Sequence, residues 1–260
     1  MEYIKKSKKN NKKHKEDNSN KEKQLNDNIP KDKVKYFLMI PLEQEEFINT
    51  FNEICQKLEK DNPKDFNKHL FTKPQKLQCT LVVLDLNEDK EKTEKVVGVI
   101  NSLIPQIKEI ISDEFIFNFE KYDCFDSIKK AYVVYAKMIE DENHYKLKSI
   151  TDIIIKKLLE EGILTKQDLK NFKIYEEYSD SELIYTIKFH VTLLNLKYLN
   201  KALKEENKPI EKKEFDATEI ISCIKDIKFP ECQMDKINLC AMREDPNNGK
   251  YEVIHSFNIL

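Results

Sequence analysis

The sequence predicts an α+β chain, with one folded unit built from two similar lobes of antiparallel strands and flanking helices. Three observations carry this. Short β-prone apolar runs alternate with segments of helical period. Neighbouring strands are spaced as hairpins. One nine-residue strand pattern occurs twice, at 76–84 and again at 188–196.

Residues 1–33 read as a Lys/Asn-rich leader and 34–260 as the folded domain. The leader has almost no apolar content and cannot bury enough surface to offset its ordering entropy, so disorder is expected. Its lysine clusters, Lys5 to Lys9 and Lys12 to Lys15, suit either a nuclear import signal or a solvated tail.

The domain opens with an apolar strand at 35–42 that ends in Pro41-Leu42. A helix over 44–60 follows, with Phe47, Phe51, Ile54, Cys55 and Leu58 at helical spacing. The first repeat strand is expected at 76–86, then a helix at 90–111. Strands at 114–122 and 130–138 come next; Phe115, Phe117 and Phe119 alternate in the first. A helix at 143–160 ends near Gly162, which suits a C-cap position. The second repeat strand is read as one element over about 183–197. A short helix near 216–224 has Asp216 or Thr218 as its cap, and strands at 234–242 and 250–259 close the chain around a Pro/Asn/Gly turn.

Composition excludes several classes. Three glycines leave no room for a phosphate-cradling glycine loop, and neither GxGxxG nor Walker patterns occur. The first 35 residues carry +6, which leaves −8 for the remainder of a total of −2. An acidic body argues against broad electrostatic binding of nucleic acid. The six cysteines form no CxxC pair and read as reduced thiols without a zinc site. No run of about 18 apolar residues suggests a membrane span. These features fit a nuclear or cytoplasmic protein.

The repeats carry the chemistry. Lys76-Leu77-Gln78-Cys79-Thr80-Leu81 and Lys188-Phe189-His190-Val191-Thr192-Leu193 each place a polar side chain two residues before a threonine. Residues i and i+2 of a strand share a face, so each copy aims a pair at one surface: Gln78 with Thr80, and His190 with Thr192. Such pairs suit a phosphate, with hydroxyls steadying oxygens and imidazole moving protons. The bland reading of each is an ordinary polar position on a strand.

At these residues the chain resembles the 2H phosphoesterase family, whose mark is two copies of His-x-Thr or His-x-Ser. More narrowly it is similar to the branch represented by A-kinase anchor protein 7 and activating signal cointegrator 1 complex subunit 1. Tyr36 to Leu42, Phe215-Asp216-Ala217-Thr218-Glu219-Ile220, Ile237 to Cys240 and Tyr251 match that branch in order.

The resemblance implies a bilobed fold, two antiparallel sheets forming a central cleft with flanking helices, one motif from each lobe. It implies action on 2′,3′-cyclic phosphates or RNA ends, or nucleotide binding, with no metal or other cofactor. His190 and Thr192 are the implied catalytic residues, and Gln78, Thr80 and Thr192 the implied phosphate contacts. The departure is Gln78, where the family has histidine. An amide can hydrogen-bond a phosphate but cannot shuttle a proton.

Three functions therefore stay open. One is a nucleotide or RNA-end binder with weak or no catalysis. Another is a phosphodiesterase working through His190 alone. The third is a non-enzymatic module in a kinase-anchoring or transcription/repair assembly, a partner implied by resemblance only. His69, His144, His255, Tyr132 and Tyr251 are candidates to replace the missing acid or base, with His144 read as a surface residue. Lys76 and Lys188 would add charge to the cleft or sit solvated on its rim.

Overall fold

The structure is a computed structural model, and it describes residues 34–111, 114–179, 182–209 and 213–260. The leader and its expected disorder or import role lie outside the described residues.

Seven strands form one antiparallel run. They are β1 (Tyr36–Pro41), β2 (Gln78–Leu84), β4 (Phe119–Cys124), β5 (Val133–Met138), β8 (His190–Asn195), β10 (Lys236–Glu244) and β11 (Tyr251–Asn258). Their order across the run is β11-β10-β1-β2-β8-β5-β4. The expected pair of antiparallel sheets is present as a four-stranded half ending at β2 and a three-stranded half starting at β8. The two halves meet through a single ladder pair, Cys79 opposite Val191. Nearby, an isolated bridge sets Phe71 opposite Leu194.

Helices cover one face of this run. Helix α1 (Glu45–Asp61) buries Phe47, Phe51, Ile54 and Leu58, the helical-spacing residues of the sequence. Helix α2 (Lys90–Ile111) buries Val96, Ile100, Leu103 and Ile107 despite an internal Pro105. Helix α3 (Glu142–Glu160) buries Leu147, Ile150, Ile154 and Leu158, and Asp141 caps it by accepting the His144 backbone N–H. These side chains join Leu38, Ile40, Cys79, Leu81, Val191 and Leu193 in one core. Fully burying each large aliphatic side chain is worth about 1.5–3 kcal/mol, so this face fixes which way the alternate residues of β1, β2 and β8 point. The opposite face keeps a smaller cluster of Phe37, Met39 and Cys240.

The nine-residue repeat is also a repeat of structure. Over six residues β2 and β8 share one burial pattern, with the first and third residues half-buried, the second, fourth and fifth buried, and the sixth half-buried. Two successive buried residues break strict alternation, and a register shift accounts for them. Across β1 the pairing steps from Leu38–Val82 to Met39–Thr80, so Leu81 is passed over. Across β5 it steps from Val134–Leu194 to Tyr135–Thr192, so Leu193 is passed over. Each motif strand therefore carries a bulge immediately after its threonine, which bends the strand and turns two consecutive leucine-class side chains to the core.

The expected single strand over 183–197 is corrected. It consists of β7 (Glu182–Thr186), then a break at 187–189, then β8; Leu196 begins helix α5 (Leu196–Glu205). Asn195 ends the strand by capping the helix, its Oδ1 accepting the Lys197 N–H at 2.9 Å. Strand β7 pairs with β6 (Tyr175–Ser179) in a separate two-stranded sheet beyond α4 (Lys166–Asn171), elements the sequence reading did not contain. The last helix, α6 (Thr218–Ile224), starts after Ala217, and Asp216 serves it by accepting the Thr218 N–H at 3.0 Å. Strands β3 (Ile116–Phe117) and β9 (Cys232–Gln233) form a second small sheet.

Candidate functional site

All four motif side chains lie on the face away from the helices, on adjacent strands. Cys79 opposite Val191 is the central pair, and both are fully buried in the core. One antiparallel step to either side sets Gln78 beside Thr192 and Thr80 beside His190. Gln78, Thr80, His190 and Thr192 thus form a rectangle around a dry centre, all half-buried.

The two motif strands differ chemically. Thr80 Oγ1 donates to Gln78 Oε1 at 3.2 Å. The amide oxygen is occupied by its own strand neighbour, so the Nε2 hydrogens are what Gln78 can offer a ligand. His190 Nδ1 lies 2.6 Å from the Lys188 carbonyl oxygen. A carbonyl only accepts, so Nδ1 carries the proton and the neutral ring keeps its lone pair on Nε2. Burial pushes the His190 pKa below its ordinary value, aided by the Lys188 charge, while the Lys188 carbonyl bond opposes the shift. The imidazole is therefore neutral near pH 7.

His190 is walled by aromatics. The rings of Phe125 and Tyr135 each approach its ring edge-on at 5.1 Å between centroids. Tyr135 is fully buried, and its hydroxyl donates to Asp123 at 3.0 Å. Burial, with Asp123 close by, pushes the Tyr135 phenol well up. Cys79 is equally inert as an ion, because burial pushes its thiol up to about 12.

The lysines two residues before each motif are held alike. Lys76 Nζ sits 4.9 Å from the Tyr251 ring centroid and 2.7 Å from Glu244. Lys188 Nζ sits 4.7 Å from the Tyr135 ring and 3.5 Å from Asp123. Each cation over a ring, with a carboxylate alongside, is a fixed charge rather than a loose rim residue. Bonds from Lys73 and Lys76 hold the Glu244 carboxyl at about 2.

The candidates for a replacement acid or base fall in varied places. His69 Nε2 faces Glu206 at 3.8 Å. His255 lies on β11 against the Phe257 ring. Tyr132 is 46% exposed, and it is Tyr135, three residues on, that meets His190. Tyr251 packs edge-on to Phe37. His144 is not the surface residue expected: it is half-buried, its pKa is lowered by burial, and its ring lies 5.6 Å from Phe189. Tyr135 and Phe125 were missed, although alternation along 133–138 would have set Tyr135 on the inner face. Among the described residues no group of three or more His, Cys, Asp or Glu is arranged to hold a metal ion. No described helix is long and apolar enough to cross a membrane.

A family profile described as AKAP7 2'5' RNA ligase-like domain matches residues 34–259. The chain belongs to that family, and so to the 2H phosphoesterase superfamily. Among solved structures, TT0787 of Thermus thermophilus is similar over 86% of this chain and 97% of that one, with 14% identity and a TM-score of 0.51. LigT of E. coli complexed with 3′-AMP covers 87% and 98% at 11% identity, TM-score 0.48. Usb1 of Kluyveromyces marxianus with uridine monophosphate covers 87% and 97% at 6% identity, TM-score 0.41. A search of curated proteins found no match. The TT0787 likeness establishes the 2H phosphoesterase fold for this chain, mixed helix and antiparallel sheet.

Proposed function

We propose that this 2H phosphoesterase-fold protein binds the phosphate of a nucleotide or RNA end across β2 and β8, and turns it over weakly or not at all. The observation that supports this is the rectangle of Gln78, Thr80, His190 and Thr192 on adjacent strands, with an amide where an imidazole would sit. Two hydroxyls, an amide N–H and an imidazole can surround phosphoryl oxygens. Phosphoester cleavage needs one group to take a proton and another to give one. His190 is neutral with Nε2 unprotonated, which suits the base. Gln78 cannot be the acid, and losing one such catalyst typically forfeits about 10²–10⁴ in rate.

Calorimetric titration with nucleoside monophosphates tests the binding. Saturable binding that weakens in His190→Ala is the expected result, and no heat at millimolar ligand would sink the reading. The free Nε2 of His190 also favours a second reading, slow hydrolysis with His190 as sole proton carrier. Measurable turnover of a 2′,3′-cyclic nucleotide, lost in His190→Ala, would select it.

A further inference from the structure

A cavity of about 370 Å³ opens where the motif face ends. Its lining includes Lys188, two residues before His190, and Lys137, which pairs with His190 across β5 and β8. Directly opposed residues of an antiparallel ladder share a face, so Lys137 brings the edge of the cavity up to the surface on which His190 stands. Helix α3 supplies His144, Tyr145 and Lys148 to its wall, and β6 supplies Tyr175 and Glu177.

Three features of this cavity are unusual for the molecule. Residues 36–260 are net acidic, yet the lining carries three lysines against Glu140 and Glu177. Tyr145 is 59% exposed and Tyr175 49%, two rings left uncovered at one opening. The Nδ1 atom of His144 is buried without a hydrogen-bond partner. A buried polar atom left unpaired costs stability and is normally satisfied by something. Lysines and open aromatic rings together fit a nucleobase with its backbone. The rings stack on the base and the ammonium groups meet phosphate.

We propose that this cavity is a base-stacking subsite, so that the ligand is a single-stranded oligonucleotide whose nucleotide next to the motif-bound phosphate seats against Tyr145 and Tyr175. The proposal rests on phosphate binding at the motif, as argued above. The carboxylates have a place in it. Glu177 pairs with Lys148, and Glu140 pairs with Lys137 at 2.6 Å, so each lysine must exchange a carboxylate for a phosphate when ligand binds. Binding is then strongly salt-dependent.

The test titrates the full chain with inorganic phosphate and with a hexaadenylate RNA ending in a 3′-phosphate. A third probe is the same RNA made abasic at the nucleotide flanking that phosphate. The intact RNA should bind about tenfold tighter than the abasic one, the usual scale for one stacked base. In Tyr145→Ala/Tyr175→Ala the ratio of RNA to phosphate affinity should fall by about as much. Equal binding of intact and abasic RNA, or an unchanged ratio in the double variant, overturns the subsite while leaving phosphate binding standing. Tighter binding of a phosphorylated peptide than of the RNA also overturns it. If neither phosphate nor RNA binds, the motif reading falls and the subsite with it. The abasic comparison uses the unsubstituted protein, so a folding defect in the variant cannot decide the outcome.

Discussion

The β1–β2 pair and the β5–β8 pair are two versions of one device. Each has a polar residue and a threonine on one face, a buried residue between them, a bulge after the threonine and a ring-bound lysine two residues upstream. They differ in what stands across the ladder. Thr80 faces Met39 and Gln78 faces Pro41, whereas Thr192 faces Tyr135 and His190 faces Lys137. The half with histidine has an aromatic wall and a carbonyl clamp on Nδ1. The half with glutamine has an amide folded onto its own threonine, beside apolar neighbours. The motif strands thus share one backbone device, and their side chains distinguish them.

The sharpest way to break that comparison is to place a second imidazole at residue 78. If the halves still match in backbone, Gln78→His should raise cyclic phosphodiester turnover by about 10²–10⁴, with the gain abolished by adding His190→Ala. No gain would show that the Met39 and Pro41 surroundings, and not residue 78 alone, separate the halves.

Next in size are the bulge leucines. Leu81→Ala and Leu193→Ala each remove a fully buried side chain and should cost about 2–5 kcal/mol in urea unfolding. Similar costs support equivalent bulges, and a gap of several kcal/mol would refute them.

The third experiment sharpens the chemical difference through pH. The His190 pKa lies below 6.5, so the ring gains its proton as pH falls through that lowered value. Affinity for sulfate, whose charge is constant there, should then rise about tenfold, since hydrogen bonds from charged donors are the stronger kind. In His190→Gln the rise should vanish. The same lowered pKa has a stability sign: the unfolded ring binds the proton first, so His190 and His144 both cost stability as pH drops below about 6.5. Last, Lys188→Gln should change unfolding free energy by under about 1 kcal/mol, the scale of a partly exposed pair, and Lys76→Gln should cost more, because the Lys76 side chain is only 9% exposed. Equal effects would refute this asymmetry.

Much of this was legible in the sequence because two spacings carry it. The i, i+2 rule put Gln78 with Thr80 and His190 with Thr192 on one face, and helical spacing located α1 through Phe47 to Leu58. The repeated framing placed the pairs together, which no single copy could have done. Legibility failed where signals overlapped. Phe189 to Leu199 is an apolar run in which a strand gives way to a helix without a glycine or proline, so only Asn195, a good cap, marked the change. Strand β6 reads Tyr-Glu-Glu-Tyr-Ser and lacks an apolar alternation, because it packs little of itself into the core. Alternation along 133–138 sets Tyr135 on the motif face, but which residue of β8 it meets depends on a bulge that shifts the pairing from Val134–Leu194 to Tyr135–Thr192.

The single ladder pair between Cys79 and Val191 has a mechanical meaning. Sheets resist shear in proportion to their rungs, and here two well-laddered blocks share a seam with one ladder pair from β2 and the Phe71–Leu194 bridge beside it. An anion gripped from both sides of that seam would act as a rivet, so its arrival should slow amide exchange at residues 79 and 191 more than anywhere within either block.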